Sequence, residues 1–384
     1  MEKYSGKSAG LWRGNTKNWS IFLLIGTFLL IGVAAVQWAI AQSGSAAPGG
    51  YGIKVYQTNS ALYPFVQIYF RTFDQNMQPL VNLNERNIGL MVKGRTYDPA
   101  KQQYMVNSIR QRQEATRSVI VLDASKTMAG RPFEAALQAC ARFIDSKRPQ
   151  DEVAILAVRN TKEGYETVSG FERDTGALAR RLADVRADGV KTRLYDTIGA
   201  AFQMCGSSSQ GSVVPSAASM IVSSCVVVLS DGLDDGSAIS REELNTRISN
   251  MHIPIPVYSV AYSGVNQNHF KNLESISKNS FGKYYQVAEA YEKMQRVVEE
   301  VQNIIQSDYV LTFRSYLPVD GEAHACKIGV EYPSGSGKYT YESARFETLE
   351  LPKLEPVKDK MKELSQMLRE LNTGNDPYIN NPPN

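Results

Sequence analysis

The chain has 384 residues, enough for two or three domains, and carries 42 Lys and Arg against 39 Asp and Glu. So even a balance, with the basic residues scattered, argues against a nucleic-acid-binding protein. Three histidines (His252, His269, His324) and four cysteines are too few and too dispersed for a zinc centre; each histidine reads as an isolated core or surface residue.

Residues 1–20 carry Lys3, Lys7, Arg13 and Lys17 against Glu2, and residues 21–41 then run without a charge. A run of that length spans a bilayer, and its basic flank keeps the N-terminus cytoplasmic. We read 21–41 as a transmembrane anchor with Trp38 at the interface. The alternative is a signal peptide cleaved after Ala39-Ile40-Ala41, giving a secreted or periplasmic protein. Either way the bulk is extracytoplasmic, in the periplasm or at the cell surface. Residues 42–52, rich in Gly, Ser and Ala, form a linker.

Residues 53–115 alternate: Phe65, Gln67, Tyr69 and Arg71 fall on one side of a strand, and Val66, Ile68, Phe70 and Thr72 on the other. Asp74-Gln75-Asn76 and Gly94 mark turns, so the segment reads as antiparallel β, with its aromatics in a core. From 116 to 307, strands alternate with helices, the pattern of a doubly wound, mostly parallel sheet. Buried strands are expected at Val119–Leu122, Glu152–Val158, Val226–Leu229, Pro256–Ala261 and Gly282–Val287. Helices are expected at Pro132–Ser146, Thr175–Ala183 and Leu194–Cys205. The stripe Tyr291, Met294, Val297, Val298, Val301, Ile304 and Ile305 makes one further helix with a core-facing side.

The chemistry gathers at the ends of two of these strands. Val119–Leu122 ends in Asp123, with hydroxyls at Ser125 and Thr127; Val226–Leu229 ends in Ser230-Asp231-Gly232; Lys191-Thr192-Arg193 opens a helix. A carboxylate and two hydroxyls at alternate positions place hard oxygens where open α/β sheets bind ligands. The three pieces, in this order, resemble the von Willebrand factor A (VWA) domain with its metal-ion-dependent adhesion site. The resemblance implies a Mg²⁺ or Mn²⁺ ion held by Asp123, Ser125, Thr127, Thr192 and Asp231. The family usually has Ser where Thr127 stands, and commonly Gly where Lys126 stands; Thr keeps the hydroxyl.

Residues 206–219 are Ser/Gly-rich and flanked by Cys205 and Cys225. A helix end and the next strand's start share an edge of such a sheet, so these two thiols are expected to be neighbours and disulfide-bonded. Cys140 and Cys326 are expected to be free. Residues 308–351 return to strands, and the two β flanks, each too short for a core of its own, are expected to complete one immunoglobulin-like sandwich around the insertion. The whole resembles bacterial exported or membrane-anchored VWA proteins with flanking β segments. Residues 352–372 carry Val357, Met361, Leu364, Leu368 and Leu371 at seam spacing, either to dock on the sandwich or to self-associate through 356–371. Residues 373–384 are polar and read as a disordered tail.

The resemblance implies a non-enzymatic module that binds a partner protein by taking its acidic side chain onto the metal. Two other readings remain open. One is phosphoryl transfer at Asp123, although haloacid-dehalogenase-like phosphatases have a second Asp where Ser125 stands, and no phosphate-cradling Gly-x-x-x-x-Gly-Lys-Ser/Thr loop occurs. The other is a structural part of an envelope assembly with a degenerate metal site, suggested by Lys126 and the terminal heptads.

Overall fold

The structure, a computed structural model, describes residues 50–111, 115–159, 161–207, 221–251, 255–263, 267–348 and 355–371. The expectations for the apolar run 21–41, most of the linker, the Ser/Gly-rich stretch and the tail fall outside these residues. Among the described residues no helix is long and apolar enough to cross a membrane.

The first flank forms β1 (Tyr51–Leu62), β2 (Phe65–Asp74), β3 (Ile88–Val92), β4 (Arg95–Thr96) and β5 (Tyr104–Ser108). The alternating segment follows as β6 (Ala115–Asp123), α1 (Arg131–Asp145), β7 (Glu152–Val158), β8 (Tyr165–Glu172), α2 (Thr175–Ala183), α3 (Leu194–Ser207) and β9 (Ile221–Ser230). It continues with α4 (Arg241–Ser249), β10 (Val257–Tyr262), α5 (Phe270–Asn279), β11 (Tyr284–Ala288) and α6 (Met294–Ile305). The second flank gives β12 (Tyr309–Arg314), β13 (Ala323–Glu331), β14 (Tyr339–Glu347) and α7 (Glu355–Met367).

The central sheet runs β11-β10-β9-β6-β7-β8. All its pairings are parallel except β7 with β8. Strand β6 sits inside it with Val119, Ile120, Val121 and Leu122 fully buried. Ile120 and Leu122 pack on the face shared with α1 and α6, and Val119 and Val121 on the face shared with α3 and α5. Both faces are therefore dry, and an unbroken β-branched run is what such a strand needs. Burying each of these side chains contributes about 1.5–3 kcal/mol. Strand β8 was not expected: it is an edge strand with mostly half-exposed residues, so it lacks the apolar run that betrays its neighbours.

The two flanks meet in two four-stranded sheets, β1-β2-β12-β5 and β14-β13-β3-β4, each drawing strands from both ends of the chain. Val66, Ile68 and Phe70 from β2 share their core with Ile328, Val330 and Phe346 from the second flank. Phe313 packs edge-on against both Tyr97 and Phe346.

The sandwich is tied to the starting edge of the central sheet. Arg71 Nε and Nη2 donate to the two oxygens of Asp308 at 2.7 Å each, and its Nη1 donates to Tyr258 Oη at 2.7 Å. Asp308 lies just before β12 and is fully buried. Burial pushes its carboxyl up, while the Arg71 guanidinium pulls it back. Nearby, Gln78 donates to Glu300 on α6 at 2.9 Å.

One expectation is corrected here, and one open alternative is met. Cys205 and Cys225 do come close, the Cys205 thiol lying 4.0 Å from the Cys225 carbonyl oxygen. Both are buried thiols not joined to one another in a disulfide; the Cys225 sulfur instead lies 3.4 Å from Ser118 Oγ. The C-terminal seam is used within the chain. Leu364 and Leu368 are about as buried as core residues and pack on Phe65, while Leu371 joins the sandwich core.

Candidate metal centre

Strand β6 delivers Asp123 to the carboxyl edge of the sheet, and the chain then turns through a short 3-10 segment, Lys126–Met128. The Ser125 backbone N–H donates to Asp123 Oδ1 at 3.0 Å, folding the loop back onto the carboxylate. The hydroxyls of Ser125 and Thr127 lie 3.0 Å apart, so the alternate spacing does put both on one side of the turn.

Two more loops close on this one. The Gly189 N–H donates to the Ala124 carbonyl at 3.0 Å, and the Lys126 N–H donates to the Gly189 carbonyl at 2.7 Å. Glycine eases that approach, since a Cβ at 189 would lie a tight 3.1 Å from Ala124 O and 3.3 Å from Ser125 Cα. Gly189 leads into Thr192, whose carbonyl accepts from the Asp235 N–H at 2.7 Å. The third loop leaves β9 at Ser230-Asp231-Gly232. Ser230 Oγ donates to Asp123 Oδ2 at 2.7 Å, and the Gly232 N–H donates to Ser230 Oγ at 3.0 Å. Gly232 has a φ of +78°, and a Cβ there would sit 2.5 Å from the His269 carbonyl oxygen, so the turn needs glycine twice over.

All five residues singled out by the sequence thus lie at one edge. Asp123 is fully buried, Ser125, Thr192 and Asp231 are nearly so, and Thr127 is exposed. Burial pushes the Asp123 carboxyl up to about 6, against the hydrogen bonds from Ser125 and Ser230, and the Asp231 charge adds to the rise. Burial also raises Asp231, opposed by the Leu233 N–H and by nearby His269.

Sequence reasoning missed three residues. Ser230 stood in plain view beside Asp231, and its signal was the hydroxyl at the end of a buried strand. His269 is brought near Asp231 by the fold alone, through the N-terminus of α5. Tyr262, at the end of β10, has a buried hydroxyl with no hydrogen-bond partner among the described residues. Burial pushes its phenol well up, and Asp123 and Asp231 act in the same direction. Asp196 and Asp234, two further carboxylates, are engaged in fastening the third loop. Asp196 accepts from the Ala238 N–H at 2.9 Å and Asp234 from the Tyr195 N–H at 3.0 Å.

The donor set fits a small hard cation. It consists of carboxylate and hydroxyl oxygens, with two buried acids that repel one another, and the unpartnered Tyr262 hydroxyl feels both charges.

Residues 118–233 match the family model described as von Willebrand factor type A domain. Residues 118–233, within the α/β unit, are thus similar to a von Willebrand factor type A domain. Among solved structures, the chain is similar to a von Willebrand factor type A protein from Catenulispora acidiphila, at 12% identity over 80% of this chain and 74% of that one, with a TM-score of 0.43. It is also similar to the vWF domain of the type V pili tip protein Mfa5 from Porphyromonas gingivalis, at 11% identity over 50% of this chain and 95% of that one, with a TM-score of 0.35. No curated protein matches.

Proposed function

We propose that the chain is a non-enzymatic, membrane-tethered binding module that captures a partner protein through one Mg²⁺ or Mn²⁺ ion. Asp123, Ser125, Thr127, Thr192 and Asp231 hold the ion, Ser230 orients Asp123, and residues 21–41 anchor the chain with its bulk outside the cytoplasm. The bound metal supplies an open, Lewis-acidic position that prefers an anionic oxygen, so the partner offers a Glu or Asp side chain.

The observation that carries this reading is the convergence of three loops, through the Asp123–Ser230 and Lys126–Gly189 hydrogen bonds, on two buried carboxylates. The sandwich attaches at the opposite edge, where Arg71 meets Asp308. Strand β6, nine residues long, runs from that edge to the donor set.

The test is capture of a partner from membranes by the full chain in Mg²⁺, repeated in excess chelator and with Asp123→Ala. Capture is expected to collapse in both, while circular dichroism of the variant stays close to wild type. Arg131→Ala, whose guanidinium lies 5.6 Å from the Tyr291 ring, is expected to change it far less. Full capture by a folded Asp123→Ala protein would place the partner elsewhere.

A further inference from the structure

Strand β10 ends in Tyr262, and the register of the sheet fixes where that residue stands. Ala261 pairs with Ser230 on β9, and Leu122 on β6 pairs with Leu229. Tyr262 therefore comes level with Asp231, at the edge where Asp123 ends its own strand. Its side chain lies in the packed cluster that also holds Leu122, Ala124, Met128 and Leu229. These apolar residues are interleaved with the proposed ligands along the chain: Leu122 and Ala124 bracket Asp123, and Met128 follows Thr127. Tyr262 thus belongs to the core-side wall of the donor set.

A polar atom stands in this apolar wall. Tyr262 is fully buried, and its hydroxyl makes no hydrogen bond with any described residue, the Cys140 thiol of the same cluster included. A buried hydroxyl left unpaired is costly, whereas phenylalanine fills the same space without that cost. Burial pushes the phenol well up, and Asp123 and Asp231 act in the same direction, so the group stays a neutral donor. Neither carboxylate accepts from it directly. Asp123 takes the Ser125 N–H and the Ser230 hydroxyl, and Asp231 takes the Leu233 N–H at 2.9 Å. What links the phenol to these acids must carry hydrogen-bonding groups of its own, and Mg²⁺ characteristically keeps several waters when carboxylates hold it.

We infer that Tyr262 is a positioning residue of the metal centre, its hydroxyl hydrogen-bonded to a water of the ion's own shell on the core side of Asp231. This rests on the metal reading above and adds a residue that reading leaves out. Groups one step outside a metal's ligands hold those ligands in orientation, and losing one weakens the site without abolishing it. Tyr262→Phe keeps the ring in the core and removes only the hydroxyl, so it separates the two roles.

The test compares the full chain in detergent micelles with its Tyr262→Phe variant, by calorimetric titration of Mg²⁺ and by urea unfolding with Mg²⁺ or with chelator. The variant is expected to bind the ion roughly tenfold to a hundredfold more weakly than wild type. In chelator it is expected to be as stable as wild type or more so, and to gain less stability when the ion is added. Tyr285→Phe, whose hydroxyl bonds Glu300 at 3.0 Å instead, is expected to bind Mg²⁺ as wild type does. Equal Mg²⁺ affinity in wild type and Tyr262→Phe, or an equal weakening in Tyr285→Phe, would overturn the inference and leave the metal site standing. So would a stability loss of the same size with and without the ion, the mark of a purely structural hydroxyl. No Mg²⁺ binding by the wild type would remove the metal reading, and this inference with it.

Discussion

The Ser230 hydroxyl donates to Oδ2 of Asp123 at 2.7 Å, joining the ends of two neighbouring parallel strands across the edge of the sheet. Oδ1 is taken by the Ser125 N–H, so both oxygens of a fully buried carboxylate are oriented by protein donors. Removing one donor leaves a buried acceptor short. Ser230→Ala is expected to cost about 1–3 kcal/mol in urea unfolding, with the unfolding slope unchanged. A loss below a few tenths of a kcal/mol would mean that the bond orients nothing.

The domain junction makes a second prediction. Asp308 and Arg71 form a buried bidentate pair, and deleting one partner strands the other's charge. Asp308→Ala is expected to destabilise by about 3–5 kcal/mol, and Arg71→Met/Asp308→Leu by much less, because the stranded charge is what costs most. Equal losses in the single and double variants would show that packing, not charge pairing, holds the junction.

How much of this was legible beforehand follows from where each signal lies. Strand β6 could be read because Val119–Leu122 needs no context to be recognised as buried, and Asp123, Ser125 and Thr127 follow it directly. Asp231 was legible for the same reason. His269 and Tyr262 were not, since only the packing of α5 and β10 brings them near Asp231, and no local spacing encodes that. The two cysteines were correctly expected as neighbours, but proximity does not aim two sulfurs at each other. For the seam of α7, spacing alone could not choose between an internal face and a second chain; Phe65 on the sandwich settled it.

That docking is itself testable. Leu364 is 2% exposed against Phe65, so Leu364→Ala is expected to cost about 2–5 kcal/mol. Chemical unfolding should register the loss, and far-ultraviolet circular dichroism should stay near native. An unchanged midpoint would indicate that the helix is not bound to the sandwich in solution.

A pH-dependent term is expected from the β13–β14 turn. Glu331 accepts from the Gly335 N–H at 3.0 Å, from the Gly337 N–H and from the Ser336 hydroxyl, and the first of these leads in holding its carboxyl below the usual range. A depressed folded-state value stabilises the protein above the ordinary glutamate pKa of about 4.3 and is lost as pH falls through the folded value. Glu331→Gln is therefore expected to lower the melting temperature at pH 7 and to lose most of that effect near pH 3. An equal deficit at both values would show that its charge is not what the turn uses.

The central claim is the metal. Calorimetric titration of Mg²⁺, and separately Mn²⁺, into the full chain and its Asp231→Ala variant tests it most directly, with circular dichroism confirming that both are folded. The account predicts one bound ion per wild-type chain and none detectable in the variant, because a lone Asp123 balances only half of a divalent charge. Equal binding by the two proteins, or none by the wild type, would contradict it.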